Sequence, residues 1–158
     1  MPPEIQYRRA IVDDSTHISG LMLQTQFQFS VEDFSTQGKE LLEQLCSPKE
    51  IKHYITRGDV YFVAEVEGAI VGVIGIRDNN HLAHNFVRGE LHGQGISTKL
   101  WELAKGVCLE SGNPGEFELR ASTFAIPIYE RWGFVVESEI EDTGGIMSTP
   151  MRLKLYEK

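Results

Sequence analysis

Apolar residues recur along this chain at two periods, and the switches between them mark its elements. Ile5 to Val12 reads as a first strand. Asp13, Asp14 and Ser15 then offer N-cap oxygens, and Ile18, Leu21 and Met22 recur at helical spacing. Gln24 to Gln37 is only weakly periodic and carries Phe27, Phe29 and Phe34, which suits a loop packed on a pocket or a helix end. Leu41, Leu42 and Leu45 mark a second helix. Ser47-Pro48-Lys49-Glu50 is a capping box with proline in the first turn, opening a third helix that Gly58 ends. Val60–Val66 and Ala69–Arg77 are strands joined through Glu67-Gly68, a hairpin signal, and His81–Val87 is the next strand.

The second half keeps the same grammar. Ile96, Leu100, Leu103, Ala104, Val107 and Cys108 form one face of a helix that Ser111-Gly112-Asn113-Pro114-Gly115 stops. Phe117, Leu119 and Ala121 alternate with Glu116, Glu118 and Arg120, a strand pattern. Ala125 to Trp132 is a short helix, and Phe134–Ile140 and Ile146–Tyr156 form a last hairpin around Asp142-Thr143-Gly144-Gly145. A hairpin series followed by one βαβ crossover predicts an α/β fold of the α+β type. It has a mixed, mostly antiparallel seven-stranded sheet with helices on both faces. No repeat or linker interrupts it, so residues 1–158 are expected to form a single domain.

Bulk properties narrow the partners. The formal net charge of −8 argues against nucleic acid or an anionic membrane surface. The longest apolar run, Ala69 to Ile76, is too short to span a bilayer. Cys46 and Cys108 lie far apart inside helical patterns, without metal-ligand spacing, and are expected to be buried thiols; no metal site is expected. The start of the chain lacks a signal-peptide pattern. These features point to a cytoplasmic protein. The edges of the last hairpin leave a monomer or a homodimer open.

The stretch Phe86 to Leu100 carries the main chemical signal. A strand runs into His92-Gly93-Gln94-Gly95, and that turn opens directly into a helix at Ile96-Ser97-Thr98. Unpartnered N–H groups and the helix dipole suit such a place to a phosphate or pyrophosphate. A nucleoside-triphosphatase loop would need Lys and then Ser or Thr after its last glycine, but Ile96 and Ser97 stand there. A dinucleotide fingerprint would need a third glycine where Thr98 stands.

On these residues the chain resembles the GNAT superfamily of N-acetyltransferases, whose acetyl-CoA pyrophosphate loop reads Gln or Arg, two residues, Gly, one residue, then Gly or Ala. Gly95 matches the central glycine, while His92 and Ser97 depart from the pattern. Ala125, Tyr129, Gly133 and Phe134 match a second signature, A-x-x-h-Y-x-x-x-G-F (h apolar), and the order of elements agrees over nearly the whole chain. The resemblance implies acetyl-CoA as co-substrate and an amine, small-molecule or peptide, as acceptor. It also implies that residues 92–98 hold the pyrophosphate and that Phe86 and Val87 offer backbone groups to the pantetheine arm.

The resemblance makes the Tyr129 hydroxyl the general acid to the leaving thiolate, a role that a phenol protonated at neutral pH can fill. Packing in the core is the alternative for this tyrosine. Ser122 stands where the family often has Asn; it can contact the cofactor or cap the helix. Simple alternation puts His84 on one strand face with Leu82 and Phe86, and His81 on the other with Asn85. His84 is the first candidate for the base that takes the amine proton and His81 the second, with structural histidines as the alternative. Phe29, Phe34 and His81 are the expected acceptor-side residues; Glu141 and Asp142 lie close by, either as a solvated turn or to attract a cationic amine. A different class of protein, an acyl-CoA-binding sensor without transfer, fits the same cofactor loop.

Overall fold

The computed structural model describes residues 4–156. Eight strands form one mixed sheet: β1 (Ile5–Arg9), β2 (Val60–Val66), β3 (Ala69–Arg77), β4 (His81–Val87), β5 (Glu116–Ala121), β6 (Val135–Val136), β7 (Glu141–Thr143) and β8 (Ile146–Lys154). Their order is β1-β2-β3-β4-β5-β8-β6, with β7 also paired to β8. Every pairing is antiparallel except β4 with β5. The helices are α1 (Ser15–Phe29), α2 (Thr36–Leu45), α3 (Pro48–Thr56), α4 (Ile96–Glu110) and α5 (Ile126–Arg131).

Helices cover both faces, so β2 and β3 read as nearly continuous apolar runs. One core lies under α4 and α5, around Trp101, Phe117, Leu100 and Met151. The other lies under α1 to α3, around Ile18, Met22, Ile51 and Val73. Cys46 and Cys108 are buried free thiols. The expected turn chemistry holds at several points. Ser47 Oγ accepts the Glu50 N–H, Glu67 and Gly68 are left-handed at the β2–β3 turn, and Gly58 is left-handed after α3.

Other local expectations are resolved or changed, each for a physical reason. Of the two readings of the segment after Gln24, the helix end holds: α1 continues to Phe29 because Ile18, Leu21, Met22 and Thr25 keep one face buried through it. Asp14 caps no helix N–H. Its carboxylate takes the Arg8 guanidinium at 2.8 and 2.9 Å and the Ile11 N–H at 2.8 Å. Of the strand expected over Phe134–Ile140 only β6 forms, and β7 forms beyond it, partly in residues expected as turn, which raises the count among the described residues from seven to eight. Glu137 donates its N–H to the Pro150 carbonyl at 2.9 Å, but proline has no N–H to return, and the β6 ladder stops there.

Two features shape the middle of the sheet. Opposite β3, Gly75 pairs with His84 while Ile76 pairs with Leu82, so Ala83 is an extra residue, a bulge. Parallel pairing of β4 with β5 covers only His81↔Glu118 and Leu82↔Leu119. Beyond that point the two strands part, and the sheet opens toward the C-terminal end of β4.

Candidate active site

The glycine turn lies at the mouth of this opening. Gly93 and Gly95 have φ of 82° and 81°, a region L side chains rarely adopt, and a Cβ at either would meet nothing within 4 Å. Backbone conformation, not crowding, is therefore what requires glycine here. The first bond of the α4 ladder runs from the Lys99 N–H to the Gly95 carbonyl at 3.0 Å. The N–H groups of Ile96, Ser97 and Thr98 precede that ladder at the positive end of a 15-residue helix.

Two cavities meet in the split. The larger, about 680 Å³, runs from the glycine turn and the start of α4 past Val87, Phe29 and Phe124. The smaller, about 300 Å³, lies between β4, β5 and the α1–α3 side. Gln26, Ser30, Asn85, Phe86, Ser122 and Ala125 border both, so the lobes join beside the end of β4.

Tyr129 lines the smaller lobe and reaches the junction through Asn85, which borders both. The turn Ser122–Ala125 and the short α5 bring it under the sheet, with its ring edge-on to Trp132 and Phe134. The hydroxyl accepts from the Asn85 Nδ2 at 3.4 Å. Burial pushes its pKa up to about 12, the Asn85 bond only partly opposing this. The phenol is therefore protonated at neutral pH, and accepting from Asn85 leaves its own O–H to donate. Among the described residues the Asn85 Oδ1 is a buried acceptor with no partner.

The bulge at Ala83 corrects the expected face pattern. Leu82 joins the core under α4, whereas His81 and His84 line the same smaller lobe and Phe86 packs toward α1. His84 Nδ1 lies 2.6 Å from the Tyr61 hydroxyl. Burial, with smaller contributions from Arg77 and His81, pushes the His84 pKa down to about 3. Burial raises that of Tyr61. With both groups neutral they share one hydrogen bond, whose direction follows the imidazole tautomer. His81 is lowered chiefly by burial, against the effect of Glu118, whose Oε1 lies 3.2 Å from its Nδ1.

The remaining candidates are placed unevenly. His92 folds back: its Nε2–H donates to the Val87 carbonyl at 2.7 Å, and its ring lies against Phe29 at 4.8 Å. Phe29, expected among the acceptor-side residues, stacks on Phe124 at 4.9 Å and lines the larger lobe with the glycine turn, not the smaller one. Phe34 lines neither lobe; it packs edge-on to Phe27, and its backbone bridges Ile146. Gly93, Gly95, Ile96, Ser97 and Thr98 line the larger lobe, whereas Gln94 is exposed and lines neither. Thr98 Oγ1 accepts from Trp132 Nε1 at 3.3 Å, tying α5 to α4. The Ser122 side chain caps no helix N–H and faces both lobes.

Two hydrogen-bond partners in the site were not anticipated, Asn85 for Tyr129 and Tyr61 for His84. Asp33 fixes the loop after β5. The Asp33 carboxylate takes the Thr123 N–H and hydroxyl at 3.0 and 2.9 Å. A polar Asn among apolar positions of a strand was the available signal for Asn85. Tyr61 and Asp33 act across 23 and 90 residues, which no local pattern reports.

A split mixed sheet with a glycine turn and helix start at the split defines the class: an α/β protein suited to an extended ligand with a phosphate at one end. Residues 30–155 match the family model of the acetyltransferase (GNAT) domain, and the chain belongs to that family. Among solved structures it is similar to a GCN5-related N-acetyltransferase from Rhodopseudomonas palustris (TM-score 0.81, 17% identity, 98% of this chain and 99% of that one). It is also similar to the PaiA N-acetyltransferase of Thermoplasma acidophilum in complex with coenzyme A (0.78, 18%, 96% and 99%). A third is YncA of Salmonella typhimurium with acetyl-CoA (0.69, 16%, 98% and 96%). No curated protein sequence matches the chain. No helix among the described residues is long and apolar enough to cross a membrane.

Proposed function

We propose that this protein is an acetyl-CoA-dependent N-acetyltransferase that moves an acetyl group to a primary amine by direct attack. The observation that carries the reading is the junction of two lobes beside a buried, protonated Tyr129 with a free proton to donate. Acetyl-CoA bound in the larger lobe supplies an activated acetyl thioester. Residues 93–98 suit its pyrophosphate through backbone N–H groups. The amine enters from the smaller lobe, its nitrogen bonds to the acetyl carbon, and the C–S bond breaks. Tyr129 donates its O–H to the departing sulfur, and Asn85 keeps the phenol turned for that donation.

The nitrogen must also lose a proton, to an imidazole of the smaller lobe or to water, and that proton restores the Tyr129 phenol. His84 is the neutral imidazole at this lobe, but burial makes it a weak base and Tyr61 occupies its Nδ1. Its contribution is accordingly smaller than that of Tyr129, and holding the two reactants together carries most of the rate. The test is calorimetric titration with acetyl-CoA, followed by CoA release with an amine panel. Tyr129→Phe should bind acetyl-CoA as the wild type does and lose roughly 10²–10⁴-fold in kcat. His84→Gln should lose less than about tenfold. Binding without CoA release from any amine would instead establish the sensor reading, and no binding would refute both.

A further inference from the structure

The smaller lobe carries a charge pattern opposite to that of the chain. The protein has a formal net charge of −8, yet Arg57, Arg77 and Arg120 line this lobe, with Asp59 as its sole carboxylate among the described residues. Asp59 is consumed by Arg57 through hydrogen bonds of 2.8 to 3.1 Å. The acids that could attract a cationic amine are also engaged. Glu141 pairs with the Arg120 Nη1, and Asp142 accepts the Gly145 N–H at 2.8 Å. Arg120 keeps its Nε and Nη2 donors uncommitted. Among the described residues Arg77 has only Asp78, at 3.8 Å, and that carboxylate is 82% exposed. With Arg57 paired to Asp59 and Arg120 to Glu141, Arg77 is the guanidinium of this lobe without a close partner among the described residues, and Arg120 has donors beyond its Glu141 bond.

Resting on the acetyltransferase reading above, we infer that the acceptor is a small amino acid-type amine whose carboxylate is held by Arg77 and Arg120. A guanidinium fork matches a carboxylate in a planar, two-bond geometry. Arg120 precedes Ser122, at the junction, by two residues, about 7 Å along an extended chain. Arg77 stands opposite His81 across the β3–β4 pairing, at the other side of the lobe. The space of about 300 Å³ is at the lower end for a ligand site, so the acceptor is small. Specificity then comes from a negative group that the basic wall receives, and from the cost to a di- or polycation of entering the same wall.

The experiment compares CoA release for single amino acids, their carboxamides, their decarboxylated amines and spermidine. The free carboxylate should lower KM by roughly 10- to 100-fold relative to the carboxamide. Arg77→Gln should erase most of that difference, leaving the carboxamide KM and the acetyl-CoA Kd unchanged. Arg120→Gln provides the second variant if the first does not fold. Equal use of amide and acid, or preference for spermidine, overturns the inference while leaving acetyl transfer standing. An equal effect of Arg77→Gln on acid and amide also overturns it. Release of CoA with none of the amines refutes the acetyltransferase reading, and this inference with it.

Discussion

Ser97→Glu separates anion binding from folding at the start of α4. Ser97 is half-buried in the first turn and lines the larger lobe. A carboxylate there meets the positive end of the helix dipole, so the apo protein should gain about 0.3–1 kcal/mol. The same carboxylate would lie near a bound pyrophosphate. At ~5 Å and an effective dielectric of ~20, each unit of phosphate charge is repelled by about 3 kcal/mol. After screening, acetyl-CoA affinity should fall by roughly 100-fold or more. Gly95→Glu tests the same repulsion less cleanly, because a side chain at φ 81° costs about 1–2 kcal/mol. The assay is calorimetry with acetyl-CoA beside a thermal melt. Acetyl-pantetheine, which lacks the pyrophosphate, is the control ligand, and its affinity should not change. Raising ionic strength to ~1 M should recover part of the loss. An acetyl-CoA Kd within about threefold of wild type, in a folded variant, would refute the assignment of this turn to a pyrophosphate.

Stability should fall with pH because of His84. Its folded pKa of about 3 lies below the unfolded value of about 6.5, so the unfolded chain takes up the proton first. The stabilisation is complete above pH ~6.5 and is lost as pH falls toward ~3; at pH 5 the loss is up to about 2 kcal/mol. His81, also lowered, adds to the same limb. Urea denaturation at pH 7.5 and 5 should show this slope, and His84→Gln should flatten it; an unchanged slope would count against the buried neutral imidazole. Asn113→Ala should cost about 2–3 kcal/mol, since its buried amide joins the Gly115 and Glu116 N–H groups to the Asn79 and Glu116 carbonyls. A melt shifted by less than about 2 °C would contradict that. Gly38→Ala should destabilise by about 1–3 kcal/mol or displace the β7–β8 turn, because a Cβ there would lie 2.0 Å from the Gly145 oxygen. Unchanged stability and an unmoved hairpin by NMR would show that the contact is not tight.

Most of the architecture was legible in the sequence because it is set by local periods. The face of α4, the alternation of β5, the N-cap at Ser47 and the turn at Glu67-Gly68 are readable within a few residues. The errors lie where a distant residue overrides a local pattern. Pro150 ends β6 from across the sheet, and Arg8 draws Asp14 away from a capping role. The Ala83 bulge turns one expected face of β4 into two, which brings His81 to the same lobe as His84.

The chain by itself determined which segments become strands and helices and where a left-handed glycine turn meets a helix start. Side-chain period and the φ freedom of glycine are properties of neighbouring residues. Only the tertiary structure decided what each candidate side chain does. Burial raises the Tyr129 pKa further above neutrality, and its hydroxyl accepts from the Asn85 amide. His84 lost most of its basicity because the same burial and Tyr61 surround it. Phe29 went to the larger lobe because α1 runs its full length, and Arg77 and Arg120 came to one cavity from separate strands. Desolvation and pairing depend on which atoms share a space, and chain order does not encode that locally.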